Sequence, residues 1–148
     1  MRIIHFPMKK TLTVLFLFVP IFLVAQQVDL FQQFNGQYDF TAFGNTLNIG
    51  GPNPCNIATE SSADLTLGPT QTFISAHLSW SGPSGPVAGD GDFDVQLNGN
   101  NVTAQRTFAL PANTGLHYFA AYADVSAIVG AIGNGTYTLS ELDLTGVI

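Results

Sequence analysis

The chain has 148 residues, about the size of one domain, and 46% of them are apolar whereas only 9% are charged. Its 10 acidic residues outnumber its 4 Lys and Arg, and three of those cations (Arg2, Lys9 and Lys10) lie in the first ten positions. From residue 11 onward, one cation stands against ten acids, a net charge of -9. Such an acidic body repels phosphate backbones, which excludes nucleic-acid binding, and the apolar fraction excludes a disordered chain.

The N-terminal segment has the pattern of a secretory signal. Lys9 and Lys10 form a positive end, residues 11–24 are apolar, and Ala25 is a small residue suited to cleavage. The alternative is a membrane anchor, but a spanning helix needs about 20 apolar residues and this run offers about 14. The sequence therefore predicts a signal peptide at residues 1–25, export, and a mature body of residues 26–148 without a membrane span.

Short segments of alternating polarity follow in the first half of the mature body. Residues 38–43 are predicted as a strand, and residues 48–56, which contain Gly and Pro, as a loop. Residues 62–67 are predicted as a strand because Ala63 and Leu65 alternate with polar neighbours.

The clearest strand pattern covers residues 72–80, followed by a predicted Gly- and Pro-rich loop at residues 81–91. Four apolar side chains share one phase of this strand: Ile74, Ala76, Leu78 and Trp80. This phase places Trp80 in the core, so a carbohydrate platform built on Trp80 is not expected. We likewise expect Phe31, Phe34 and Tyr38 to pack rather than to bind a ligand.

A hairpin is predicted from residues 92–97 through the reversal Asn98-Gly99-Asn100 to a returning strand at residues 102–108. Phe93, Val95 and Leu97 alternate with polar residues, and Asn and Gly tolerate the positive φ angles of a tight turn.

The last part of the chain combines two strands and a short helix. Residues 118–123 are predicted as a strand, and a helix begins at Asp124-Val125-Ser126, with Asp124 or Ser126 as its cap, and ends at Gly133. The final strand, residues 136–145, changes phase near Ser140-Glu141, which indicates a bulge or bend. Six to eight short strands predict an all-β protein: a jelly-roll-like β-sandwich with one short helix.

Cys55 is the single cysteine, and export exposes it to an oxidising environment. It is a buried thiol, a thiol shared between chains, or the partner of a cysteine beyond Ile148. The apolar residues 142–148 favour the last alternative. We therefore expect a sandwich that is incomplete at its C-terminus, a longer protein, and other domains of that protein as partners.

Asp90, Asp92 and Asp94 alternate in a Gly-containing stretch that resembles the start of a Ca²⁺-binding loop. The pattern is incomplete, because Gln96 lies six positions after Asp90 and no acid lies at the twelfth position. A solvated strand edge is the expectation, with a Ca²⁺ site as the alternative. No other cofactor is expected.

Catalytic patterns are not evident in the sequence. His77 and His117 lie forty positions apart, without a helical ligand pair. His77 lies on the polar face of its predicted strand and is expected at the surface. Glu60 and Glu141 are the acids that a glycosidase pair would need, but their spacing is not specific. The expectation is a protein that is not an enzyme.

Arg106 is the one cation of the mature body. In strict alternation it shares a phase with Val102 and would point inward, where it needs a carboxylate partner such as Asp124 or Asp94. The alternative is a surface Arg at the end of its strand.

Five segments resemble the start of large exported proteins of gliding Bacteroidetes-type bacteria: LFQQFNG (30–36), YDFTAFGNTL (38–47), AHLSWSG (76–82), VTAQRTF (102–108) and GNGTYTL (133–139). Such proteins carry repeated β-domains and a C-terminal sorting domain of the gliding motility-associated, type IX secretion kind. The resemblance implies a β architecture, a secreted or cell-surface location and a continuation past Ile148. It transfers no catalytic residue.

The expected function is a non-enzymatic structural or adhesin-like module of an exported cell-surface protein, with a surface glycan or a protein as ligand. The alternative is a carbohydrate-binding or Ca²⁺-dependent module attached to a secreted hydrolase.

Overall fold

The computed structural model describes residues 30–50, 56–87, 89–112, 115 and 117–144. The predicted signal peptide, Cys55 and the last four residues of the chain lie outside the described residues. Contacts divide the chain into two compact units, Met1–Phe40 and Thr41–Ile148. Among the described residues, no helix combines the length and the apolar composition needed to cross a membrane.

The described part of the first unit, residues 30–40, contains no strand or helix. The strand expected at residues 38–43 is therefore wrong. Phe40 is 87% exposed, and its N–H is bound by the Asp39 carboxylate at 2.8 Å. Such local side-chain bonds compete with strand pairing, and an alternating segment without a neighbouring strand is not stable.

The second unit is a β-sandwich, which confirms the predicted fold class. In chain order its described elements are β1 (Ser61–Leu65), β2 (His77–Gly85), β3 (Asp94–Leu97), β4 (Asn100–Thr103), β5 (Arg106–Leu110), β6 (His117–Asp124), α1 (Ser126–Ile132) and β7 (Gly135–Ser140). One antiparallel sheet has the order β1-β7-β3-β4 and the other has the order β2-β6-β5. The first strand pairs with the last and the second with the last but one, a nesting like that of a jelly roll.

The β3–β4 hairpin forms as predicted. Asn98 and Gly99 have φ angles of 50° and 74°, as a two-residue type I′ turn requires. The Asn98 side chain also accepts the N–H of Thr138 at 2.7 Å and donates to the carbonyl of Thr136 at 3.1 Å. These bonds attach the turn to β7 and fix the centre of the four-stranded sheet.

The returning strand does not continue to residue 108 in one sheet. It ends at Thr103, and the chain crosses at Ala104 and Gln105 into the other sheet, where β5 begins at Arg106. The crossing breaks the alternation that relates Arg106 to Val102. Arg106 is exposed, so the inward alternative is wrong and the surface alternative holds.

Strand β2 is displaced relative to its prediction. Pairing with β6 starts at His77 and extends to Gly85, through half of the expected loop. Pro83 is tolerated because β2 is an edge strand, where a missing N–H need not interrupt a ladder. Ile74, expected on the inner face, precedes the strand and is 54% exposed.

Helix α1 ends as predicted at Gly133, whose φ is 73°. Val125 occupies the N-cap position and provides no side-chain bond, and of the two predicted caps it is Asp124 that binds a free amide of the first turn. The Asp124 carboxylate accepts the N–H of Ser126 at 2.8 Å, and the Ser126 hydroxyl accepts the N–H of Ala76 at 3.0 Å. The start of α1 is therefore held by the segment that leads into β2.

Inward side chains of both sheets form one core. Its buried apolar members are Leu65, Trp80, Val95, Leu97, Val102, Phe119, Ala121, Ala123, Val125, Val129, Tyr137, Leu142 and Leu144. The bend predicted near Ser140-Glu141 is confirmed by the φ of 63° at Glu141. Because of this bend, Tyr137 before it and Leu142 after it both enter the core.

Candidate functional site

The outer face of the four-stranded sheet is polar. Its outward side chains, which alternate with the buried ones, are Ser62, Asp64, Asp94, Gln96, Asn101, Thr103, Thr136 and Thr138. They bind one another across the strands: Ser62 with Thr138 at 2.7 Å, and Thr136 with Asp64 at 2.6 Å. The donors and acceptors of this face are thus engaged with each other.

The outer face of the three-stranded sheet is aromatic at its centre. We call the following outward residues the aromatic face: His77, Ser79, Ser81, Pro83, Arg106, Phe108, Leu110, Tyr118, Ala120, Tyr122 and Asp124. Tyr118, Phe108 and Leu110 are 45%, 56% and 66% exposed. An apolar surface of this kind, rimmed by polar groups, is typical of a binding site.

The pairing register of the strands places large side chains around small ones on the aromatic face. Tyr118 and Tyr122 lie on β6 with the small Ala120 between them, and Phe108 lies beside Ala120 on β5. Ser81 lies on the other side of Ala120. Four residues of a strand span about 13 Å. From the register we infer a shallow slot between Tyr118 and Tyr122, with Ala120 as its floor and Phe108 along one side.

Polar groups cluster at the Tyr122 end of the aromatic face. The Tyr122 hydroxyl lies 2.6 Å from His77 Nδ1, and the two rings are stacked with centroids 5.6 Å apart. Arg106 is directly opposite Tyr122 in the register. Asp124 lies opposite His77, so this end presents a phenol, an imidazole, a guanidinium and a carboxylate.

Two pKa shifts accompany this cluster. Desolvation, followed by the charge of Asp124, raises the pKa of Tyr122 above 10.0, whereas Arg106 acts to lower it. Hydrogen bonding from the side chain of Ser126, and then from its backbone N–H, lowers the pKa of Asp124, and His77 contributes in the same direction. At neutral pH the Tyr122 phenol is protonated and Asp124 is a carboxylate.

The two histidines are not brought together. His77 pairs with Asp124 at one end of the β2–β6 ladder, and His117 pairs with Gly85 at the other. The eight residues of β6 separate these ends by roughly 23 Å. His117 Nδ1 accepts the N–H of Ala112 at 3.1 Å. The prediction of a surface position is right for His77, while His117 is half-buried.

Of the three aspartates proposed for Ca²⁺, Asp92 and Asp94 make side-chain contacts within the fold. Asp92 accepts the N–H of Asp143 at 2.7 Å, and its carbonyl accepts the Trp80 indole N–H at 2.8 Å. Asp94 accepts the Thr103 hydroxyl at 2.6 Å, and Asp90 lies exposed in the preceding loop. Within the described ranges, no three His, Cys, Asp or Glu side chains are grouped as metal ligands.

Glu60 and Glu141 flank the same end of the β1–β7 pair, where Ser61 is opposite Leu139. Glu141 also borders a shallow depression of about 360 Å³, together with Asp94 and Gln96. Among the described residues, no hydrogen bond links Glu60 or Glu141 to a side chain that would define an acid and a base.

Two predictions about aromatic residues have different outcomes. Trp80 is buried, as expected. Phe31, Phe34 and Tyr38 are exposed, so the expectation that they pack into a core is wrong, although the rings of Phe34 and Tyr38 contact each other at 5.6 Å. An aromatic segment can pack only where another element covers it.

The aromatic face was not identified from the sequence. Its signal was present in β6, where Tyr118 and Tyr122 alternate with the core residue Phe119, so both phases of the strand carry large side chains. No family model, curated protein or solved structure matches this chain. The assignment of a function therefore rests on the geometry of the site.

Proposed function

We propose that this chain is a non-enzymatic, adhesin-like module of an exported cell-surface protein, and that it binds carbohydrate on the aromatic face. The observation that supports this proposal is the exposure of two aromatic side chains around Ala120, Tyr118 next to it in phase on β6 and Phe108 opposite it on β5. Sheet faces directed to water are ordinarily polar, and the other outer face of this sandwich is polar.

A carbohydrate can contact both the apolar and the polar side chains of the aromatic face. The C–H faces of a pyranose ring pack on aromatic rings, and its hydroxyls need donors and acceptors at fixed positions. Tyr118 and Phe108 supply the apolar contacts, whereas Tyr122, His77 and Arg106 supply the polar ones.

Charge favours a neutral glycan. The chain carries ten acids and one cation after residue 10, so an acidic polysaccharide is repelled over most of the surface. Arg106 is the exception and lies at one end of the slot. We expect neutral glycans to bind with little dependence on salt, because no ion pair is needed.

Export and a surface location rest on the signal-like N-terminus and on the resemblance to type IX secreted proteins of gliding bacteria. Other domains of the same longer protein are the proposed partners. Cell fractionation combined with the intact mass of the native product tests this part. Cytoplasmic recovery of a product that retains residues 1–25 would contradict it.

The binding proposal is tested on a printed panel of neutral and acidic glycans, followed by calorimetry with the best neutral hit. Tyr118→Ala should weaken binding about tenfold, equivalent to about 1.4 kcal/mol. Thr138→Ala, a matched truncation on the polar outer face, should leave the affinity unchanged. Both variants should keep the melting temperature of the unmodified protein within a few degrees.

Two further outcomes separate the proposal from its alternatives. Binding that EDTA abolishes would favour the Ca²⁺-dependent module attached to a hydrolase, with Asp90, Asp92 and Asp94 as the residues to examine. Equal loss of binding in both variants, or an empty panel, would contradict carbohydrate binding on the aromatic face.

A further inference from the structure

The four edge strands of the two described sheets are β1, β4, β2 and β5. They differ in how well they are protected against pairing with an additional strand. Among the described strands, β1 carries the exposed Asp64, β4 is polar throughout its outward positions, and β2 contains Pro83. Charges and prolines on an edge are the usual means of preventing strand addition. Strand β5 has no acid and no proline, its one charge is Arg106 at its first position, and Phe108 and Leu110 are exposed on it.

Strand β5 is also uncovered on both of its faces. All five of its residues are exposed, including Thr107 and Ala109, which share the inward phase with the buried Ala121 and Phe119 of β6. In the described structure β5 is paired along one side, with β6. An apolar strand with one exposed edge and two exposed faces is a template for a further strand.

From these features we infer that β5 pairs antiparallel with β5 of a second copy of this chain, which joins two three-stranded sheets into one of six strands. A two-fold axis through Phe108 places this side chain opposite its own copy. The same axis places Arg106 opposite Leu110, and Thr107 opposite Ala109 of the second copy. The surface is thus complementary to itself, as a two-fold dimer requires.

Electrostatic repulsion between two copies is weaker at β5 than at the edge strand that carries Asp64. Two copies of an acidic protein repel each other, and an edge that carries Asp64 adds to that repulsion. Strand β5 contains Arg106, the one Lys or Arg after residue 10, and the antiparallel register keeps the two Arg106 side chains at opposite ends. The inference does not depend on carbohydrate binding.

The first experiment measures the mass of the purified protein by sedimentation equilibrium over a range of concentrations. The unmodified protein should form a dimer, and Phe108→Lys should shift dissociation to at least tenfold higher concentration, because two lysines then meet on the axis. Ile74→Lys is the matched control, since Ile74 is equally exposed and lies outside the strands. It should dimerise normally.

The second experiment traps the register with cysteines, with Cys55 replaced by Ser in every variant and copper phenanthroline as oxidant. Opposed residues on antiparallel strands have Cα atoms about 4.5–5.5 Å apart, within reach of a disulfide. Phe108→Cys should therefore give a covalent dimer. In Leu110→Cys the two thiols are offset by four residues, about 14 Å along the strand, and should remain reduced.

Three results would overturn the inference: a monomer at every concentration, a dimer that Phe108→Lys leaves intact, or equal trapping of both cysteine variants. Hydrogen exchange separates the first result into two cases. Protected β5 amides in a monomer would show that a segment of the same chain covers the strand, and unprotected amides would show that the edge stays open.

Discussion

The two outer faces of the sandwich differ in whether their side chains are satisfied by contacts within the sheet. Both sheets contribute inward side chains to the same core, although β5 stays exposed on its inner face. One outer face is a lattice of hydroxyl, amide and carboxylate pairs, and the other carries Tyr118, Tyr122 and Phe108. The polar face satisfies its groups within the sheet. The aromatic face leaves large apolar surfaces in contact with water, which a second molecule can cover.

The largest expected effect compares a core phenylalanine with one of the aromatic face. Phe119 is 2% exposed and packs edge-on against Phe93, with ring centroids 5.5 Å apart. Phe119→Ala should lower the free energy of unfolding by about 3–5 kcal/mol, because it leaves a cavity between the sheets. Phe108→Ala should change it by less than about 0.5 kcal/mol. Urea unfolding measures both, and similar losses would show that Phe108 is part of the core.

A smaller effect is expected on the inner face of β2. A Cβ at Gly82 would lie 2.8 Å from a Leu144 methyl group and 3.2 Å from the Phe119 ring. Gly82→Ala should cost about 1–3 kcal/mol through overpacking. Gly44→Ala is the control, because nothing lies within 4 Å of its Cβ position. A stability for Gly82→Ala equal to that of the control would mean that Leu144 moves aside easily.

The polar outer face should show measurable coupling between its pairs. The Thr136 hydroxyl donates to Asp64 at 2.6 Å across β1 and β7. A double-mutant cycle of Thr136→Val and Asp64→Ala should give a coupling of about 0.5 kcal/mol in thermal unfolding, since both side chains are exposed. The same cycle on Tyr118 and Thr136, which lie in different sheets, should give none. A coupling near zero for both cycles would mean that the polar lattice does not stabilise the sheet.

The smallest expected effect is on the stability of the protein at acidic pH. Because Ser126 lowers the pKa of Asp124 below its usual 3.8, the carboxylate form is favoured in the folded state. The resulting stabilisation is present above pH 3.8 and is lost as the pH falls through the lowered pKa. An NMR titration should place the Asp124 midpoint below 3.8, and Ser126→Ala should raise it. An unchanged midpoint in Ser126→Ala would contradict the assigned cause.

The sequence pattern predicted correctly those elements that are stabilised by residues close to them in the sequence. The β3–β4 hairpin follows from alternation on both sides of Asn98 and Gly99, and the end of α1 follows from Gly133. The phase change near Glu141 was also visible, because Tyr137 and Leu142 cannot face one side of an uninterrupted strand. In each case the deciding interactions lie within a few residues.

Long-range contacts decided the features that were predicted wrongly. The alternation of residues 102–108 is interrupted by Arg106 alone, and no Gly or Pro marks the crossing between sheets at Ala104 and Gln105. The aromatic face escaped prediction for a related reason. When both phases of an alternating strand carry large side chains, the sequence pattern does not show which phase is buried. In β6 the buried phase is the one that contains Phe119, which packs between the sheets.

The amino-acid sequence by itself determined that this protein is acidic after its first ten residues, all-β, and built from short strands joined by tight turns, because charge, alternation and turn residues are local properties. Only the tertiary structure decided which sheet each strand joins, that Arg106 is exposed and that aromatic side chains cover one outer face. The physical reason is that burial belongs to the packing of two sheets and not to any single strand.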